Sequence, residues 1–152
     1  MNTRSGSGGV LVRLIIAKSR VAPLKVLTIP RLVLSGALLM AKLVKKVTSA
    51  LKMEVSDIFY WCDSTIVLSW LMTEPGKLNT FVSHRISQIQ RISNVSHWRH
   101  VSSNENPADL ISRGLNENQL SDTTLWWQGP TWLQLESSTW PRNNYSLLRD
   151  IP

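Results

Sequence analysis

Residues 57–71 constrain the fold of this chain more than any other stretch. Ile58-Phe59-Tyr60-Trp61-Cys62 is short, apolar and aromatic, the composition of a buried strand. Asp63-Ser64 ends it, and Ile66, Val67, Trp70 and Leu71 then recur at helical spacing. Asp63 therefore stands where a core strand hands over to a helix, at the carboxyl edge of a sheet. Open α/β sheets place their ligands at that edge. An acid there has two distinct uses. It can cap the helix by accepting backbone N–H groups, or it can hold a divalent cation.

The 152 residues are enough for one domain with its own core. An apolar fraction of 43% and a charged fraction of 18% exclude a disordered polyampholyte. No apolar run approaches the ~20 residues that span a bilayer. The polar, glycine-rich residues 1–9 do not read as a signal peptide. The expected location is intracellular, cytoplasm or nucleus, without secretion and without a membrane partner. A single cysteine, Cys62, fits a reducing compartment, since one thiol closes no internal disulfide.

Charge is distributed unevenly. Residues 1–53 carry ten Lys or Arg and no acid, whereas residues 54–152 carry seven basic and ten acidic residues. A basic third suits a polyanion such as nucleic acid, or serves as a solvated surface. The same third can supply no carboxylate chemistry.

Along the chain, residues 1–9 read as a flexible lead. Residues 10–17 form a near-continuous apolar run, expected as a strand buried on both faces. Pro30-Arg31 opens a helix from Leu32 to Val47, with Leu32, Leu39 and Leu43 on its apolar side and Lys42, Lys45 and Lys46 on its wet side. Gly36 costs that helix about 1 kcal/mol relative to Ala, which suggests close packing against a sheet. After Asp63 come a helix to about Met72, a turn, and a helix from about Asn79 to Arg91 buried through Phe81, Val82, Ile86 and Ile89. His97-Trp98-Arg99-His100-Val101 reads as a strand. Asn106-Pro107-Ala108-Asp109-Leu110-Ile111-Ser112-Arg113-Gly114 specifies a short helix: N-cap, Pro at the first position, Asp109 facing the positive end, and a glycine stop. Residues 125–140 hold four of the seven tryptophans among Pro and Gly, the pattern of an irregular tail pinned by its indoles. Asp63-Ser64-Thr65 lacks the glycine of an aspartic-peptidase turn.

These blocks, in this order, resemble the ribonuclease H region of Pao/BEL-type retrotransposon polyproteins. The carrying residues are Ala17-Lys18-Ser19-Arg20-Val21-Ala22-Pro23-Leu24-Lys25, Thr28-Ile29-Pro30-Arg31-Leu32, residues 63–71, Phe81-Val82-Ser83-His84-Arg85-Ile86, residues 106–114 and Leu125-Trp126-Trp127-Gln128-Gly129-Pro130. The resemblance implies an α/β, ribonuclease H-like fold, a mixed sheet with flanking helices. It also implies four carboxylates that hold two Mg²⁺ and cut the RNA strand of an RNA–DNA hybrid. Asp63 matches the third-in-line carboxylate and Asp109 the last. The implied partners are nucleic acid and the rest of a polyprotein with reverse transcriptase and integrase.

The chain departs from that pattern twice. Nothing before Val10 supplies the first strand and its aspartate, and Val33 stands where the helix-borne glutamate belongs. The expected fold is therefore partial, spanning residues 10–115, with residues 116–152 as an irregular Trp-rich tail or linker towards integrase. With two of four ligands missing, catalysis is expected to be impaired and Mg²⁺ held weakly, if at all, by Asp63 and Asp109. The alternative is a non-catalytic nucleic-acid-binding module using Lys18, Arg20, Lys25 and Arg31.

Overall fold

The computed structural model describes residues 2–4, 9–24, 26–52, 54–114 and 116–142. The chain is mixed α/β and divides into two compact units. The central unit comprises residues 19–100, and the terminal unit residues 1–18 with 101–142.

In the central unit, α1 runs over Ile29–Ala50, β3 over Tyr60–Cys62, α2 over Thr65–Leu71, α3 over Thr80–Ile92 and β4 over Trp98–His100. Strands β3 and β4 pair in parallel, Tyr60 opposite Trp98 and Cys62 opposite His100. A parallel pair needs a crossover connection, and α2 and α3 provide it. The Tyr60 and Trp98 rings stack at 4.7 Å. Trp98 is completely buried, and its indole N–H donates to Ser93 Oγ at 3.0 Å, so the polar edge of a large apolar ring is satisfied.

The three helices close over this pair. Leu34, Ala37 and Ala41 of α1 pack with Val67, Leu68, Trp70 and Leu71 of α2 and with Val82, Ile86 and Ile89 of α3. The buried side of α1 is thus Leu34–Ala37–Ala41, and the expected Leu32, Leu39 and Leu43 remain half-buried. Two alanines explain the choice, because small side chains let a neighbouring helix approach more closely than a row of leucines does. Pro30 is tolerated in the first turn, where its missing N–H has no partner to lose. Gln90 Nε2 donates to the carbonyls of Leu71 and Thr73 at 3.0 and 3.3 Å, tying the end of α2 to α3.

In the terminal unit, β1 (Asn2–Arg4) pairs antiparallel with β2 (Val10–Val12). Residues 1–9, expected as a flexible lead, therefore contain a strand. The expected strand over residues 10–17 is corrected to three residues. Only Val12 is buried, and Leu14, Ile15 and Ile16 are 37%, 46% and 49% exposed. An apolar run becomes a doubly buried strand only when layers cover both its faces; here the run is left open beyond Val12.

The remaining elements of this unit are α4 (Pro107–Arg113), α5 (Glu117–Ser121) and α6 (Thr124–Gln128), followed by 3-10 turns over Thr131–Gln134 and Ser137–Thr139. The segment expected to be irregular is thus a series of short helical turns. Local capping outweighs composition here. Asn116 Oδ1 accepts from Gln119 N at 2.8 Å, and Gln119 Oε1 accepts from Asn116 N at 3.2 Å, a reciprocal capping box. Gly129 has φ 70°, and a Cβ at this position meets Leu133 Cδ1 at 2.7 Å, so the turn after α6 requires glycine. The Trp132 indole donates to Glu105 Oε1 at 3.0 Å and packs obliquely on Trp140.

Gly36 corrects another expectation. It is exposed on α1, and a Cβ there meets nothing within 4 Å, so close packing is not the reason for this glycine. Gly36→Ala is therefore expected to stabilise the central unit by about 0.5–1 kcal/mol. Urea denaturation followed by circular dichroism measures this, and a loss of stability would show that α1 needs glycine at this position.

Candidate functional site

The hand-over from β3 to α2 lies where the sequence places it. Tyr60 and Cys62 are buried, while Asp63 is half-buried at the carboxyl end of the strand. The cap of α2 is Ser64, whose Oγ accepts from Val67 N at 3.3 Å. Capping therefore falls to the serine, and the Asp63 carboxylate is not the N-cap. Cys62 completes the turn, its Sγ accepting from Ser64 N at 3.5 Å. Burial pushes the Cys62 thiol from its ordinary 9.0 up to about 11, the Ser64 hydrogen bond pulls it down, and the Asp63 charge adds a further upward push. At neutral pH such a thiol is protonated and unreactive.

Val33 is half-buried near the start of α1 and packs against the central core. A hydrocarbon side chain there offers no oxygen to a cation. Asp109 lies in α4, in the terminal unit. The punctuation of α4 follows the sequence closely: Asn106 Oδ1 accepts from Ala108 N, Pro107 opens the helix, and Gly114 closes it at φ 79°. The Asp109 side chain is 21% exposed and bonds Arg113 Nη2 at 2.7 Å, one helical turn on. It also accepts from Ser112 Oγ at 3.2 Å. These partners give Asp109 a local role, worth about 0.3–0.5 kcal/mol for a pair of this spacing.

The two acids thus belong to different units, Asp63 to the central and Asp109 to the terminal one. Among the described residues no group of three or more His, Cys, Asp and Glu is arranged to hold a metal ion.

Of the basic residues singled out by the sequence, Lys18 and Arg20 are exposed outside regular structure, and Lys25 lies outside the described residues. Arg31 sits in the first turn of α1 with its guanidinium 5.4 Å from the Phe81 ring centre. Arg85 stacks on the same ring at 3.5 Å and donates to the Phe81 carbonyl at 3.1 Å. One aromatic ring therefore joins the amino ends of α1 and α3 through two cations, each contact worth about 0.5–1 kcal/mol at such partly exposed positions. The sequence reading used Phe81 as core and missed this role. The signal was the (i, i+4) spacing of Phe81 and Arg85.

In architectural terms this is an α/β protein with an acid at the carboxyl end of a parallel strand, the edge where such folds hold ligands. Residues 1–64 match the model of the Pao retrotransposon-like RNaseH-like domain, so this part of the chain is similar to that family. The match takes in Val33 and Asp63 and stops short of Asp109. Neither the curated proteins nor the solved structures gave a match. No helix among the described residues is long and apolar enough to cross a membrane.

Two outcomes follow from the turn geometry. Ser64→Ala should cost about 1 kcal/mol by uncapping α2, whereas Asp63→Asn should cost clearly less. Equal losses in paired urea titrations would return the capping role to the acid. The raised thiol pKa sets a pH dependence. Between pH 9 and about 11 the folded chain keeps the Cys62 proton while the unfolded chain releases it. The unfolded state then binds fewer protons, so stability is fully present below pH 9 and falls as pH rises. The slope reaches at most about 1.4 kcal/mol per pH unit. Buried Tyr60, whose pKa is also raised by burial, acts in the same direction at higher pH. Cys62→Ala should flatten the profile between pH 9 and 10; an unchanged slope would assign it elsewhere.

Proposed function

We propose that this chain is a retrotransposon-derived ribonuclease H-like fragment in which two-metal hydrolysis has been lost. The family region over residues 1–64 supports its origin. Its partial ribonuclease H-like fold corresponds along the chain to residues 10–115, with residues 116–152 leading towards an integrase. In the parent polyprotein its partners are the reverse transcriptase and integrase segments, and its substrate class is the RNA–DNA hybrid.

The donor chemistry carries the reading. Two cations about 3.5–4 Å apart polarise the attacking and leaving oxygens of a phosphodiester, and several carboxylates must offset their charge. Val33 contributes a hydrocarbon where the resemblance implies a glutamate, and residues 1–53 contain no acid to replace it. Asp109 is engaged by Arg113, which competes with any metal for its carboxylate. The residues present therefore do not fit a pair of Mg²⁺ ions, although Asp63 retains a half-buried carboxylate at the strand end. Neighbouring groups that orient a ligand cannot stand in for missing oxygens on the metal itself.

A second reading, nucleic-acid binding without chemistry, is favoured by the ten cations and no acids of residues 1–53. It is compatible with the first, since a fragment can lose hydrolysis and keep its affinity for phosphate.

Incubation with an end-labelled RNA–DNA hybrid and Mg²⁺ tests the loss of hydrolysis. No cleavage above background is expected, and Asp63→Asn should change nothing. Robust cleavage abolished by Asp63→Asn would overturn the proposal.

A further inference from the structure

The carboxyl-terminal halves of α1 and α3 flank an open groove of about 700 Å³ whose walls are mostly aliphatic side-chain carbon, lined by Lys42, Lys45, Lys46, Arg91, Gln88 and Ile92 together with Ser49 and Ala50. Four of these side chains are cations and none is an acid. Lys42, Lys45, Lys46 and Arg91 are all exposed. Lys42 Nζ is oriented by a 2.9 Å hydrogen bond to Gln88 Oε1 across the two helices.

The position of the groove separates it from the strand-end acid. Ile92 ends α3 and leads through Ser93 to His97 into Trp98, the first residue of β4. Because β3 and β4 are parallel, that is the amino end of the pair, whereas Asp63 follows its carboxyl end. Helices α1 and α3 run alongside each other, with Arg31 on Phe81 at one end and Lys42 on Gln88 towards the other.

A helix-dipole explanation accounts for Arg91, which lies in the last turn of α3, but not for the lysines, since the last turn of α1 contains no basic residue. Nor does local pairing explain them. Lys42 and Lys46 are like charges at (i, i+4), an arrangement that destabilises an isolated helix by a few tenths of a kcal/mol. A cluster of like charge on an ordered helix pair matches a ligand of repeated negative charge. The lining contains no aromatic residue on which a splayed base could stack, so contact falls on phosphate and sugar.

We infer that the α1–α3 groove binds the phosphodiester backbone of a nucleic-acid duplex, without sequence preference, at the end of the central unit remote from Asp63. The inference rests on reading the chain as a retroelement fragment that retains affinity for nucleic acid, and it moves that affinity away from Lys18, Arg20 and Arg31.

Fluorescence anisotropy of the full chain with labelled 20-base-pair RNA–DNA hybrid and DNA duplexes of two unrelated sequences, from 50 to 300 mM salt, tests it. Each lost phosphate contact lowers the salt slope by about 0.9. Lys45→Gln/Lys46→Gln/Arg91→Gln should therefore lower it by about 2.7 and weaken binding at least tenfold at 50 mM salt. Lys18→Gln/Arg20→Gln/Arg142→Gln removes equal charge elsewhere and should leave most of the affinity intact. Circular dichroism confirms that both triple variants are folded. Equal losses in the two variants would assign binding to diffuse charge and overturn the groove. An unaffected groove variant would do the same while leaving the retroelement reading standing. Absence of duplex binding by the unaltered chain, with polyglutamate bound instead, would overturn the inference in favour of an acidic protein partner. The cleavage assay is independent of all these outcomes, so failure of the groove and failure of the lost-hydrolysis proposal are told apart.

Discussion

The central unit depends on the parallel registry of Tyr60 with Trp98. Two three-residue strands contribute few ladder hydrogen bonds, so their pairing is held chiefly by side chains: two rings stacked at 4.7 Å, one of them wholly removed from water. Burial of so large an aromatic surface contributes several kcal/mol, far more than the short ladder does. Once β3 and β4 are fixed side by side, the rest of the unit follows. Their common carboxyl end receives Asp63, and their common amino end receives the end of α3. Helix α1 contributes Leu34, Ala37 and Ala41 to the same core and lies chiefly against α3.

Chemistry is then limited by which residues occupy the ends of this scaffold. Among the described residues, the half-buried Asp63 follows the carboxyl end of β3, and Val33 packs in α1. The opposite end gathers cations. The charge asymmetry of the chain thus becomes an asymmetry in space, with the lysines of α1 presented beside Arg91.

How much of this was legible depended on how local the signal was. The helix carrying Asp109 could be read almost residue by residue, because Asn106, Pro107 and Gly114 act through their own backbone geometry. The β3–α2 hand-over was equally clear, since apolar strand residues ending at Asp63-Ser64 need no distant partner to be recognised. The sequence leaves Asp63 either capping or cation-holding, and the structure gives the cap to Ser64. Residues 10–17 misled because an apolar run says that a segment can be buried but not that a layer exists to bury it. The tryptophan-rich segment misled in the opposite direction. There Gln119 closing on Asn116, and Gly129 turning under Leu133, imposed short helices on a composition that suggested none.

By itself, the sequence determined the quantities that short-range chemistry controls: where helices start and stop, which strand carries the acid, how many carboxylates the chain owns and how its charge is divided. Only the tertiary structure decided which face of α1 is buried, that Phe81 joins two arginines, that Asp109 belongs to a different unit from Asp63, and that four cations from two helices line one groove. Those outcomes depend on which surfaces meet after the chain has folded back on itself. Packing selects them by close fit between residues far apart in sequence, and no local pattern encodes that fit.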